Sequence, residues 1–185
     1  MNLIDIKAKK SLEDTTKVAK SGGVFVFPTD TVYGIGCVLE ESAIKKLYEI
    51  KNRPAGQPTA VLMTENTFDD ASLFEGQLPN EFWDGKMTII FKVDEFNISF
   101  PEMITENGTI GVRLPRFLWL ENLIDQVGPI VATSANKKGE ETPTEFVQIS
   151  DKILEEADLV IKTDEKLSQK ASTIFDLAKN QILRS

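Results

Sequence analysis

Residues Val24–Gly36 read VFVFPTDTVYGIG. The four apolar β-formers Val24 to Phe27 run without polar alternation, which predicts a strand buried on both faces of an α/β sheet. Pro28 lacks a backbone donor and is expected to end the ladder. Thr29, Asp30 and Thr31 then place three oxygen-bearing side chains at the strand's C-terminal end, the edge at which open α/β sheets bind ligands. Tyr33 adds an aromatic hydroxyl. Gly34 and Gly36 read as points where the backbone bends or approaches a ligand closely. Asp30 within PTDT reads as the cap of its own turn.

Outward from this stretch, strand and helix patterns alternate. Leu12–Ser21 is predicted helical, with Gly22 and Gly23 as its stop. Glu40–Ile50 carries Ala43, Ile44, Leu47, Tyr48 and Ile50 at helical spacing, so a second helix is expected to pack on the sheet. Thr59–Met63, Met87–Val93, Gly108–Leu114, Pro129–Thr133 and Leu159–Lys162 read as strands. Phe68–Phe74, Pro79–Trp83 and Trp119–Gln126 read as helices. Thr144 is read as the N-cap of a helix through Glu156. Ser172–Leu177 and Gln181–Leu183 read as a hairpin around Ala178–Asn180. The order implies an α/β fold with a mixed sheet, in one domain over residues 1–185.

Composition narrows the chemistry. The 185 residues contain no histidine and one cysteine, Cys37, so no Ser-His-Asp triad, Cys-His pair, histidine-ligated metal or intrachain disulfide can form. Any metal would be a hard ion on oxygen ligands, such as Mg2+ arriving with ATP. A net charge of −8 argues against a broad nucleic-acid surface, though not against a small basic pocket. Apolar runs fall short of a membrane span and the N-terminus lacks a signal-peptide apolar core, so the chain reads as cytoplasmic, without a membrane partner. Cys37 reads as a buried small hydrophobe.

Three clusters carry candidate chemistry. In KNRPAGQP, Pro54 pushes Arg53 towards an extended conformation, so Lys51 on the last helical turn and Arg53 just beyond it can converge on a polyphosphate. In VATSAN, a buried strand delivers Ser134 and Asn136 to the ligand edge, where a hydroxyl and an amide can hold phosphate oxygens or a base edge. In GTIGVRLP, Thr109 and Arg113 lie four apart on one face of a strand. Each cluster also admits a plain reading as solvated charge or turn. No P-loop or dinucleotide fingerprint is present.

Taken in order, PTDTVYGIG, KNRP, GTIGVRLP, PIVATSAN with GEETPT, STIFD and ILR resemble the YrdC-like threonylcarbamoyl-AMP synthases, from about Leu12 to Arg184. The resemblance implies a YrdC-like twisted open mixed sheet flanked by helices, with a concave ligand cavity. It implies a nucleotidyltransferase that makes threonylcarbamoyl-AMP and pyrophosphate from L-threonine, bicarbonate and ATP, for the t6A modification of tRNA. A downstream transferase complex would take the product, so tRNA would be met only indirectly or weakly. Carried over position by position, Lys51, Arg53, Gln57, Thr109, Ser134, Asn136, Thr142 and Arg184 would face ATP. Lys51 and Arg53 would be catalytic. Thr31, Tyr33, Arg113, the backbone at Ala132 and Ser172 would hold threonine, with Arg113 on its carboxylate.

The chain departs from the family pattern at Gln57, Leu62, Lys138 and the turn Asp84–Gly85–Lys86. A non-catalytic RNA- or nucleotide-binding module on the same fold is the alternative reading.

Overall fold

The computed structural model describes residues 2–54, 56–137, 139–165, 167–168 and 172–184. In chain order, β1 (Leu3–Asp5) leads to α1 (Ser11–Lys20), then β2 (Phe25–Pro28) and β3 (Tyr33–Val38). Next come α2 (Glu41–Lys51), β4 (Val61–Leu62), α3 (Glu65–Ala71), α4 (Asn80–Trp83), β5 (Met87–Lys92) and β6 (Thr109–Arg113). The order closes with α5 (Leu118–Val127), β7 (Ile130–Ser134), α6 (Asp151–Glu156), β8 (Leu159–Lys162), β9 (Thr173–Asp176) and β10 (Gln181–Arg184). The strands form one mixed sheet in the order β1-β8-β2-β3-β7-β4-β6-β5-β9-β10. The α/β class with a mixed sheet therefore stands.

The opening stretch is a hairpin inside that sheet, its third and fourth strands. β2 is buried throughout, as its uninterrupted apolar run requires, and it ends at Pro28, which is its last paired residue, opposite Tyr33. Gly34 and Gly36, read as points of bending or of approach to a ligand, lie in the fully buried strand Tyr33–Val38, antiparallel to both β2 and β7. Gly36 is needed for packing. A Cβ there would lie 2.5 Å from the Val131 carbonyl oxygen and 3.2 Å from Ala132 Cβ. Gly34 likewise lies under the Phe27 ring, where a Cβ would meet ring carbons at 3.3 Å.

One strand is added and two further expectations change. The N-terminal β1, parallel to β8, was not signalled by its short sequence. Thr59–Met63 narrows to the two-residue β4: Ala60 O still accepts from Ala132 N, but Thr59 N turns to Ile104 O, and both residues line the cavity described below. The helix expected from Thr144 to Glu156 is instead a 3-10 turn, Phe146–Gln148, followed by α6. The Gln148 amide oxygen accepts from Thr144 N, Thr144 Oγ1 and Glu145 N, closing the turn on itself before a helix can propagate.

On one side of the sheet the core is aromatic. Phe68 lies 5.3 Å from Phe82 and 5.7 Å from Phe91, ring centre to ring centre, joining α3 and α4 to β5. These edge-on and tilted pairs are a favoured geometry for ring quadrupoles. Cys37 is fully buried in the core, and burial pushes its thiol up to about 12, as befits an inert hydrophobe. No helix among the described residues is long and apolar enough to cross a membrane.

Candidate functional site

A cavity of about 370 Å³ is lined by Pro58–Ala60, on the approach to the short β4, and by the end of β7. Its floor is the hairpin turn after β2. Here Thr29, not Asp30, caps the turn: its hydroxyl accepts from Thr31 N and Val32 N and donates to Val32 O at 2.7 Å. The Asp30 carboxylate is left to face Arg113, with Oδ1 2.7 Å from Nη2.

Arg113 ends β6 and is only 8% exposed, yet it lines the cavity. Its Nε donates to Gly85 O at 3.0 Å and its Nη1 to Thr31 Oγ1 at 3.0 Å. Gly85 has φ +75° in the Asp84–Lys86 turn, the segment that departs from the family's pattern, and that left-handed turn presents the carbonyl to Arg113. A guanidinium has five N–H groups. Three are committed to Gly85, Thr31 and Asp30, so one remains on each terminal nitrogen, the number a carboxylate takes.

Beside Arg113 stand two buried hydroxyls, Thr88 Oγ1 and Ser172 Oγ, 2.8 Å apart. Ser172 was expected here. Thr88 was not, although its register is the signal: it pairs directly with Arg113 across β5–β6 and so shares its face. Leu62, Ile174, Val32 and Ala132 supply the apolar wall. Ala132 gives its N–H to Ala60 O, so its carbonyl is the backbone group it can offer a ligand. Arg184, from β10, and Thr142 line the same cavity, and Arg184 Nη2 is fixed by Ser172 O at 2.9 Å.

A smaller cavity of about 110 Å³ adjoins it, lined by Lys51, Arg53, Gln57, Thr133, Ser134, Asn136 and Lys137. Arg53, Thr133 and Ser134 line both. The two cations converge on this cavity. α2 ends at Asn52, whose φ of 48° turns the chain out of the helix, and Arg53 donates to Pro58 O while its guanidinium lies over the Tyr48 ring. Lys51 is 5% exposed, and its ammonium donates to the carbonyls of Ser134 and Asn136. Burial, then the charge of Arg53, lowers its pKa to about 8, with Glu140 pulling the other way. Ser134 Oγ donates to the Asn136 amide oxygen, and Asn136 Nδ2 to Glu140 O. Lys137, a third cation here, was not singled out in the sequence. Lys138 lies outside the described residues.

Two expected site residues are placed elsewhere. Tyr33 is 1% exposed, and its hydroxyl accepts from Thr163 N at 3.0 Å and donates to Thr163 O at 3.3 Å. It ties β3 to the segment after β8 and lines neither cavity. Thr109 shares a strand face with Arg113 but sits at the other end of β6, about 13 Å away along the strand. Its hydroxyl is taken by Glu106 O at 2.7 Å, and it too lines neither cavity. Strand parity fixed the face of Thr109 but not its distance from the opening.

The Sua5/YciO/YrdC family model, described as "Telomere recombination", matches residues 17–185. The chain belongs to this family. A threonylcarbamoyl-AMP synthase of Pyrococcus abyssi is 30% identical over 170 residues, covering 86% of this chain and 48% of the relative. A threonylcarbamoyl-AMP synthase of Pseudomonas entomophila is 25% identical over 182 residues, covering 94% of this chain and 96% of that protein. The crystal structure of P. abyssi Sua5 complexed with L-threonine superposes with a TM-score of 0.82 at 26% identity, over 96% of this chain and 55% of the other. The chain thus spans about half the length of the Pyrococcus protein. The mixed sheet with its flanking helices is the family fold.

Proposed function

We propose that this protein is an L-threonylcarbamoyladenylate synthase, a nucleotidyltransferase that converts L-threonine, bicarbonate and ATP to threonylcarbamoyl-AMP, pyrophosphate and water. One observation carries the reading. A pocket built around a guanidinium with two uncommitted N–H groups opens, through Arg53 and Ser134, into a pocket lined by three cations. The first suits an amino acid's carboxylate, the second a triphosphate. The naming of the relatives and the threonine complex of P. abyssi Sua5 support it.

In this reading Arg113 takes the threonine carboxylate, and Thr31, Ser172 and the Ala132 carbonyl surround the rest of the amino acid. Thr88 joins them through its hydroxyl contact with Ser172. The threonine amine and bicarbonate form a carbamate with loss of water. A carbamate oxygen then attacks the α-phosphorus, a new P–O bond forms, and the α–β bridging oxygen leaves with pyrophosphate. Negative charge grows on the phosphoryl oxygens and the leaving group, so positioned cations can supply most of the catalysis. Lys51 and Arg53 stand where those charges develop, with Gln57, Ser134, Asn136, Thr142 and Arg184 around the nucleotide.

No side chain need act as a nucleophile, in keeping with a chain that has no histidine. Mg2+ enters as the counter-ion of ATP and so as part of the substrate, neutralising phosphate charge. Its ligands would be phosphate oxygens and water. The product would pass to a separate transferase acting on tRNA in the cytoplasm, and residues 1–185 would suffice for the adenylate-forming step.

Incubation of the purified protein with ATP, Mg2+, bicarbonate and L-threonine should yield a species with the mass of threonylcarbamoyl-AMP. The mass should be absent when threonine is omitted. Tight ATP binding with no such product would favour a nucleotide-binding module instead.

A further inference from the structure

Asp30 lines neither cavity, and nothing above gives its carboxylate a chemical role. Yet it is the one carboxylate paired with Arg113 among the described residues, at 2.7 Å, with side chains 18% and 10% exposed. Its main chain is also held, because Asp30 O accepts from Ser168 N at 3.2 Å. We infer that Asp30 is a positioning residue, which fixes the Arg113 guanidinium in plane and supplies its counter-charge so that the two remaining N–H groups face the amino-acid pocket. The inference rests on the reading of that pocket as the threonine site.

The geometry explains why three anchors are used. Gly85 O holds Nε, Thr31 Oγ1 holds Nη1 and Asp30 Oδ1 holds Nη2, so each nitrogen has one fixed partner and the plane of the fork is determined. The first two partners are neutral. Only Asp30 offsets the cost of keeping a guanidinium charged at 8% exposure in the absence of substrate. Without it the group gains by swinging towards water, and an incoming carboxylate must first bring it back. That cost falls on amino-acid binding. It falls little on ATP, whose phosphates are held in the other pocket and whose remaining contacts in this one, Thr142 and Arg184, make no bond to Asp30.

The test compares wild type, Asp30→Ala and Asp30→Asn by pyrophosphate release with L-threonine and ATP varied in turn, and by thermal melting. Asp30→Ala should raise KM for threonine about tenfold or more, since it removes a charge-assisted bond at a buried site. Its KM for ATP should stay within about twofold of wild type. Asp30→Asn, which keeps an acceptor oxygen but loses the charge, should fall between, and it decides the matter alone if the alanine variant does not fold. An unchanged threonine KM in variants that fold would overturn the inference, as would equal rises in both KM values. So would a lowered melting temperature without a threonine-specific effect. Wild-type protein that neither binds threonine nor turns over would overturn the reading of the pocket itself, and the inference with it.

Discussion

The ammonium of Lys51 reaches across 83 residues of chain to the carbonyl oxygen of Ser134. This contact joins the last turn of α2 to the end of β7 and makes one pocket from the KNRP and VATSAN segments. A second donation, to Asn136 O, leaves one of its three N–H groups for a phosphate oxygen. Lys51→Ala and Arg53→Ala should therefore each slow turnover by roughly 10²-fold, a loss of about 3 kcal/mol in transition-state stabilisation, in protein that still folds. Steady-state pyrophosphate release checks this. Near-wild-type turnover in either variant would remove that residue from the phosphate site.

The same lysine sets a pH dependence. With its pKa brought from 10.5 to about 8, chiefly by burial, Lys51 loses its charge as pH rises through about 8. ATP affinity of the free protein should fall above that pH. Bound phosphates favour the charged form, so the limb belongs to kcat/KM for ATP and not to kcat. Stability has the opposite sign. Between about 8 and 10.5 the unfolded chain holds more protons at this group than the folded one, so its contribution to stability rises with pH there. Calorimetric titration with ATP across this range tests the first point. Constant affinity from pH 7 to 9.5 would contradict it.

Tyr33 and Thr109 provide the complementary experiment. Tyr33→Phe should cost about 1–2 kcal/mol of stability, because the buried Thr163 N–H loses its partner, and should leave the threonine KM alone. Thr109→Val should leave the ATP KM unchanged, since the hydroxyl serves only the Glu106 carbonyl. A rise of either KM in its variant would place that side chain in the site after all.

Gly36→Ala tests the packing of β3 on β7. A Cβ 2.5 Å from the Val131 carbonyl forces the two central strands apart, at an expected cost of about 1–3 kcal/mol. Differential scanning calorimetry should show a melting temperature lower by about 3–10 °C for a chain of this length. An unchanged melting temperature would mean that the strands separate easily there.

Much of this was legible in the sequence where one local rule acted alone. The unbroken apolar run of β2 gave a buried strand, and Pro54 after Arg53 gave the convergence of the two cations. Lys51, Arg53, Ser134, Asn136, Thr142, Arg113, Ser172 and Arg184 all reach the two joined cavities. What escaped depended on partners distant in sequence. Gly34 and Gly36 look like points of bending or of approach to a ligand until Phe27 and Val131 cover them within an interior strand. Asp30 looks like a cap until Thr29 takes that task and Arg113 arrives from β6. Thr88 carries no local signal at all. Its role comes from pairing with Arg113 in a ladder that no local pattern specifies.

The most direct measurement is the rate of pyrophosphate release from ATP by the purified protein with Mg2+ and bicarbonate, in the presence and absence of L-threonine. Release should depend on threonine and be lost in Arg113→Ala, whose side chain would hold the carboxylate. Release at the same rate without threonine, or none under either condition, would contradict the proposed function.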